Sequence, residues 1–207
     1  MLRVGLTGGM AAGKSTVASM LRAHDYPVLD ADTIGHELLE EGQDAYKDVV
    51  ATFGIDVLDQ HGNIDRAELG KIVFAEPEKL KVLNTILHPR IGKVVEDWFA
   101  ALARSSDPPD IAVVEAALLF ESGFSHSLDK MMVCWCRPEQ QVERMLERGL
   151  TEDEAKQRIA AQMPNEEKLK LADATIDCSG TIEETERLVA SALAKLIRSS
   201  APPQKPA

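Results

Sequence analysis

The segment Gly8-Gly9-Met10-Ala11-Ala12-Gly13-Lys14-Ser15 constrains this chain more than any other part of it. It fits the pattern G-x-x-x-x-G-K-[ST]. A short apolar run at 2–7 precedes it, and a stretch at 14–24 follows, where Val17, Ala18, Leu21 and Arg22 are spaced for one helix face. Glycines let backbone N–H groups turn inward around phosphate oxygens, and the N-terminus of the following helix adds a partial positive charge. In such a loop Lys14 reaches the β and γ phosphates of a nucleotide, Ser15 offers its hydroxyl to Mg²⁺, and Thr16 adds contacts to the α-phosphate. A strand, a glycine-rich turn and a helix in that order predict an α/β layer fold. In parallel sheets of that kind ligands gather beyond the carboxyl ends of the strands.

Four more short apolar runs, at 27–30, 111–115, 130–135 and 174–176, read as strands covered on both faces. About eighty residues lie between the second and third, too many for a crossover helix, with helical patterns at 67–74, 77–87 and 89–103. His88 precedes Pro89, so one helix is expected to end there before another begins. The block is expected to be a helical insertion at about 41–107, closed by the turn Ser105-Ser106-Asp107-Pro108-Pro109. A helix at 138–148 follows the fourth strand. Thr151 with Glu154, and Thr181 with Glu184, then carry the capping-box spacing of two further helices. The expected organisation is a single unit over 1–198: a core of 1–40 and 108–198, the insertion, and a lid at about 137–164. The tail 199–207, with three prolines, is expected to be disordered.

Composition narrows the partners. A formal charge of −11 over 207 residues excludes nonspecific nucleic-acid or anionic-membrane binding, which needs a basic face. An acidic protein that binds a nucleotide must therefore focus positive charge locally. Arg144 and Arg148, four apart on one helix face before Gly149, are candidates for that focus. Three cysteines without a C-x-x-C pair read as buried free thiols, which suits a reducing cytosol. No signal-type segment is seen and no apolar run approaches ~20 residues, so a cytoplasmic protein with no membrane or nucleic-acid partner is expected, as a monomer or weak homo-oligomer.

The residues around the loop resemble one family. Gly5-Leu6-Thr7-Gly8-Gly9-Met10 with Gly13-Lys14-Ser15-Thr16, followed by Asp30-Ala31-Asp32, is similar to dephospho-CoA kinase. His88-Pro89-Arg90 resembles that family's H-P-x motif, and Leu118-Leu119-Phe120-Glu121 its P-L-L-F-E segment. Arg158-Ile159-x-x-Gln162 resembles its lid helix, and Ala172-Asp173-x-x-Ile176-Asp177-x-x-Gly180 its last strand and turn. The likeness spans about residues 2–198. This chain departs from the pattern at Ala11, where a third loop glycine is common, at Ala117 for proline, at Glu115 for aspartate, and at Cys178 for asparagine.

The resemblance implies a P-loop NTPase three-layer fold with a five-stranded parallel sheet, a helical substrate-binding insertion and a helical lid. It also implies transfer of the ATP γ-phosphoryl to the ribose 3′-hydroxyl of dephospho-CoA, with ATP and Mg²⁺ as co-substrate and metal. Another P-loop nucleoside or nucleotide kinase, and a non-catalytic ATP-binding protein, are the alternatives. Lys14, Asp32 and Arg144 are the catalytic candidates, Asp32 as acceptor of the hydroxyl proton with Asp30 as its alternative. Gly8, Ala11, Ala12, Gly13, Lys14, Ser15, Thr16 and Arg148 are expected to hold the nucleotide, Ser15 also the metal. Asp30, Asp32, His88, Arg90, Leu119, Phe120 and Glu121 are expected to meet the acceptor.

Overall fold

The structure is a computed structural model that describes residues 1–200. Strands β1 (Leu2–Gly8), β2 (Val28–Asp30), β3 (Ile111–Glu115), β4 (Lys130–Trp135) and β5 (Ala174–Asp177) form one sheet in the order β2-β3-β1-β4-β5. The pairings are parallel: Leu6 lies beside Glu115, Gly8 beside Cys134, and Trp135 beside Asp177. Consequently the carboxyl ends of the strands share one edge, and the loop after β1 leaves from it. Every residue of β3 is buried, which is why these strands show continuous apolar runs instead of alternation. Helices α1 (Lys14–Ala23) and α9 (Ile182–Ser200) join the sheet in one core, with Val17, Leu21, Val189 and Leu196 packed among Val4, Leu6, Val113, Met132 and Ile176. Each such side chain contributes about 1.5–3 kcal/mol of burial.

The chain divides into two compact units, one of 1–29 with the residues from Leu102 onward, the other Asp30–Ala101. The first division, at Asp30, lies before the expected insertion start at about 41, and the second, at Leu102, lies short of the expected end at about 107. The second unit contains α2 (Ala31–Glu37), α3 (Asp44–Phe53), α4 (Arg66–Ala75) and most of α5 (Pro77–Ala103). It has its own core of Leu39, Val49, Val57, Ile64, Leu69, Val73 and Leu83.

One expectation is corrected here. His88 does not end a helix: α5 runs unbroken from Pro77 to Ala103 with Pro89 inside it. Proline deprives the helix of one N–H and crowds the preceding turn. The N–H lost at Pro89 would have served the Thr85 carbonyl four residues back. Arg90, the next residue, adds a separate tie to the same turn, its Nη1 donating to the Ile86 carbonyl at 2.6 Å while Nη2 pairs with Asp48. Leu83, Val95 and Phe99 are buried on both sides of the proline, so packing carries the helix through it. The disordered-tail expectation falls, from 201 to 207, outside the described residues, while Ser199 and Ser200 belong to α9. Among the described residues no helix is long and apolar enough to cross a membrane.

Arg90→Ala is expected to destabilise the protein by about 1–3 kcal/mol, because the Ile86 carbonyl beside the proline loses its side-chain donor. Urea unfolding reads this as a lower midpoint. Pro89→Ala should raise the midpoint in either background, because it restores a backbone N–H for the Thr85 carbonyl, a different acceptor from the one Arg90 serves.

Candidate active site

Between β1 and α1 the chain reverses through Gly9 to Gly13. Gly13 precedes the helix with φ 96°, and a Cβ there would sit 2.7 Å from Cys178 Cβ, so conformation and space both require glycine. Ala12 N donates to Gly9 O at 3.1 Å, closing a four-residue turn whose third member, Ala11, has φ 57°. A positive φ at that position is the type II signature, normally met by glycine, and a Cβ there costs roughly 1–2 kcal/mol. The departure at Ala11 is therefore a site of stored backbone strain. The first helical acceptor in α1 is Gly13 O, taken by Val17 N at 3.1 Å. The N–H groups of Lys14, Ser15 and Thr16 lie ahead of that ladder and have no intrahelical acceptor. The side chains of Ser15 and Thr16 are exposed at this first turn.

Lys14 Nζ pairs with Glu115 Oε1 at 3.0 Å, and Arg22 Nη2 lies 3.6 Å from Oε2 of the same carboxylate. Glu115 is 3% exposed at the end of β3, next to β1. It was absent from the sequence candidates for catalysis or metal binding. A carboxylate terminating an otherwise apolar strand was the available signal, since P-loop NTPases place a metal-associated acid at such a strand end.

Helices α6 (Pro138–Glu147) and α7 (Glu152–Ala160) fall within the expected lid and pack on the loop, with Met145, Ala155, Leu150 and Ile159 around Met10 and Ala11. Thr151 and Glu154 form the anticipated capping box. Arg144 is brought to the loop, where Nη1 donates to Ala11 O at 3.1 Å and Nη2 to Cys178 O at 2.8 Å. Arg148, the C-cap of α6, is exposed and holds no ion pair among the described residues. Gln141 and Gln162, neither a sequence candidate, grip Met10 from both sides: Gln141 Nε2 donates to Met10 O at 2.6 Å, and Met10 N donates to Gln162 Oε1 at 3.0 Å. Only Gln162 carried a signal, as the last member of the lid-helix motif.

Below the lid, Lys168 on α8 (Asn165–Lys170) is fully buried and reaches Glu121 Oε1 at 2.8 Å and Ala117 O at 3.1 Å. Glu121 Oε1 also accepts from Met163 N at 3.0 Å, and Thr7 Oγ1 donates to Ala117 O at 3.2 Å. Glu121 thus holds the backbone at Met163, just beyond α7. Leu119 is buried, and Phe120 is partly exposed beside it.

The other candidates lie in the second unit. Asp30 Oδ1 accepts from Asp32 N at 2.9 Å and Thr33 N at 3.1 Å, capping α2, while Asp32 is exposed on its first turn. His88 is half-buried in α5, and burial pushes its imidazole pKa below the ordinary value. Arg90 is engaged within its own unit, as described. All three cysteines are buried free thiols. The Cys134 thiol is pushed up by its hydrogen bond to Cys178 and by burial.

A family model described as dephospho-CoA kinase matches residues 2–184. A relative named dephospho-CoA kinase from Geobacillus kaustophilus is 46% identical over 90% of this chain and 92% of its own length. Another of that name from Carboxydothermus hydrogenoformans is 45% identical over 93% of each. Among solved structures, a protein of Thermus thermophilus has a TM-score of 0.78 at 34% identity, covering 94% of this chain and 97% of its own. The dephospho-CoA kinase from Campylobacter jejuni has a TM-score of 0.68 at 27% identity, covering 96% and 98%.

The buried Lys168 supplies a test of the site's support. Lys168→Met, similar in volume, is expected to cost roughly 3 kcal/mol because Glu121 and the Ala117 carbonyl lose a buried donor together. Glu121→Gln should cost less, since Lys168 keeps the carbonyl. Chemical denaturation of both variants gives the comparison.

Proposed function

The chain belongs to the dephospho-CoA kinase family, and on that premise we propose that it transfers the γ-phosphoryl of ATP to the ribose 3′-hydroxyl of dephospho-CoA, giving CoA and ADP, the last step of coenzyme A synthesis. The observation that carries this reading is the phosphate loop opening α1, with its lysine held at the end of β3, in a chain whose residues 2–184 match the family.

Phosphoryl transfer asks little covalent chemistry of a protein, so positioning and charge neutralisation do most of the work. The N–H groups of Gly13 to Thr16 and the α1 terminus would cradle the phosphates. Lys14 would move its charge from Glu115 onto the β and γ oxygens. The acceptor oxygen attacks the γ phosphorus as the bond to the β–γ bridging oxygen breaks, and the hydroxyl proton passes to a carboxylate. Asp32 is the proposed acceptor, with Asp30, which caps α2 through Oδ1, as its alternative. Arg144 would act on the nucleotide by holding the Ala11 and Cys178 carbonyls, and Arg148 remains a candidate for phosphate contact. His88, Arg90, Leu119, Phe120 and Glu121 are the proposed acceptor side, the last as support through Lys168.

The donor set suits Mg²⁺. Ser15 offers a hydroxyl and Glu115 a carboxylate, both hard oxygens, and Mg²⁺ prefers one or two protein oxygens with water and substrate phosphates. When bound, the ion supplies neutralisation of charge on the phosphate oxygens. Three free thiols support a reducing, cytosolic location, and we infer a monomer or weak homo-oligomer.

Turnover is expected to be at least about tenfold more efficient with dephospho-CoA than with AMP, CMP or uridine, a margin of ~1.4 kcal/mol. Preference for any of these would assign another nucleoside or nucleotide kinase, and ATP binding without product would assign a binding protein. Lys14→Ala is expected to lower the rate by at least ~10² through lost charge stabilisation. Asp32→Asn should lower kcat with little change in ATP affinity. Near-normal turnover in Asp32→Asn together with a collapse in Asp30→Asn would exchange the two roles.

A further inference from the structure

The turn Gly9-Met10-Ala11-Ala12 has a second state open to it. Rotating the Met10–Ala11 peptide by about 180° exchanges a type II turn for type I, and Ala11 then returns to negative φ, where its methyl group is unstrained. With alanine instead of glycine at the third position, the observed φ of 57° needs an external hold.

Three side chains supply contacts to this turn, but they grip different peptides. Gln162 Oε1 accepts from Met10 N at 3.0 Å, on the peptide before Met10. Arg144 Nη1 donates to Ala11 O at 3.1 Å, on the peptide after Ala11. Gln141 Nε2 donates at 2.6 Å to Met10 O, which belongs to the peptide that must rotate. Gln141 is 4% exposed, and a Cβ on Gly9 would lie 2.5 Å from its Nε2, so the amide is confined against the loop. A trans peptide sets its N–H opposite its C=O. Holding the Met10 carbonyl toward α6 therefore turns the Ala11 N–H away from α6.

We propose that Gln141 is a positioning residue for ATP: by hydrogen bonding the Met10 carbonyl it keeps the phosphate loop in the left-handed turn that aims the Ala11 N–H at a phosphate oxygen. One side-chain hydrogen bond thus replaces the freedom that a glycine at position 11 would have. The proposal rests on the assignment of this loop to ATP. It concerns ATP only, so the acceptor does not enter the test.

The measurement is the Kd for Mg²⁺-ATP by isothermal titration calorimetry on the full-length protein, in wild type, Gln141→Met, Gln141→Glu, Ala11→Gly and the two double variants. Gln141→Met keeps the volume without a donor, and Gln141→Glu keeps the shape without an N–H. Each is expected to weaken ATP about tenfold, the scale of the left-handed penalty. Adding Ala11→Gly to either is expected to return the Kd to within about threefold of Ala11→Gly alone, because glycine removes the need for the hold. A side chain that merely packs α6 onto the loop would not be rescued this way. If one Gln141 variant fails to fold, the other carries the same comparison. Wild-type affinity in a folded Gln141 variant, or no rescue by Ala11→Gly, overturns the proposal. Failure of the wild-type protein to bind ATP overturns the nucleotide assignment itself.

Discussion

Five residues carry the chain from the end of β1 at Gly8 to the first helical position at Lys14, and within that span both Ala11 and Gly13 hold positive φ. A reversal this tight cannot be made from ordinary extended or helical backbone. It is the condition for bringing the N–H groups ahead of the α1 ladder to one point, and its consequences spread outward. Because Gly13 must be bare, Cys178 packs directly behind it, and β5 must end where that side chain fits. Because Ala11 is not bare, side chains of α6 and of the segment just after α7 brace the turn. These side chains are therefore part of what gives the loop its shape.

Electrostatics obeys the same local logic. A protein of net charge −11 presents a repulsive average field to a nucleotide, yet screening confines most surface charge to about 8 Å at physiological salt. What matters at the loop is Lys14, 15% exposed on its side chain, with Glu115 beside it. A lysine that far from water without a counter-charge would be costly, and a carboxylate as buried as Glu115 more so. Each makes the other tolerable. Arg22 at 3.6 Å brings a second positive charge to the same carboxylate.

Much of this was legible along the chain, and the parts that were not share a physical cause. The strands were readable because buried parallel strands are continuous apolar runs, and the helix starts because Thr151 and Thr181 bond three residues ahead. Residues 8–16 stood out because a glycine-rich turn followed by Lys14, Ser15 and Thr16 at a helix start is a local pattern. Pro89 misled because its local preference was outweighed by packing at Leu83, Val95 and Phe99, buried on either side of it. Gln141 meets a partner 131 residues away and Gln162 one 152 away, so no window of sequence shows either contact. Gln141, on an amphipathic helix, looks like solvated surface until the fold brings the Met10 carbonyl to it.

Where polar side chains are buried argues for what they are kept to do. Among the described residues, Thr7, Glu115, Gln141, Lys168 and Thr185 are the buried polar or charged ones. Thr185 answers to the carbonyl of Thr181 at the start of α9. The other four all serve the carboxyl edge of the sheet: Glu115 holds Lys14, Gln141 holds Met10, and Thr7 and Lys168 converge on the carbonyl of Ala117. Apolar residues of equal volume would often serve stability as well or better at such positions. Hydrogen bonds, unlike apolar contacts, fix direction, and a loop that must aim its N–H groups needs direction more than it needs packing. The concentration of buried polarity around one turn is what a fold that spends stability on orientation looks like, and it locates the working edge of the molecule independently of any motif.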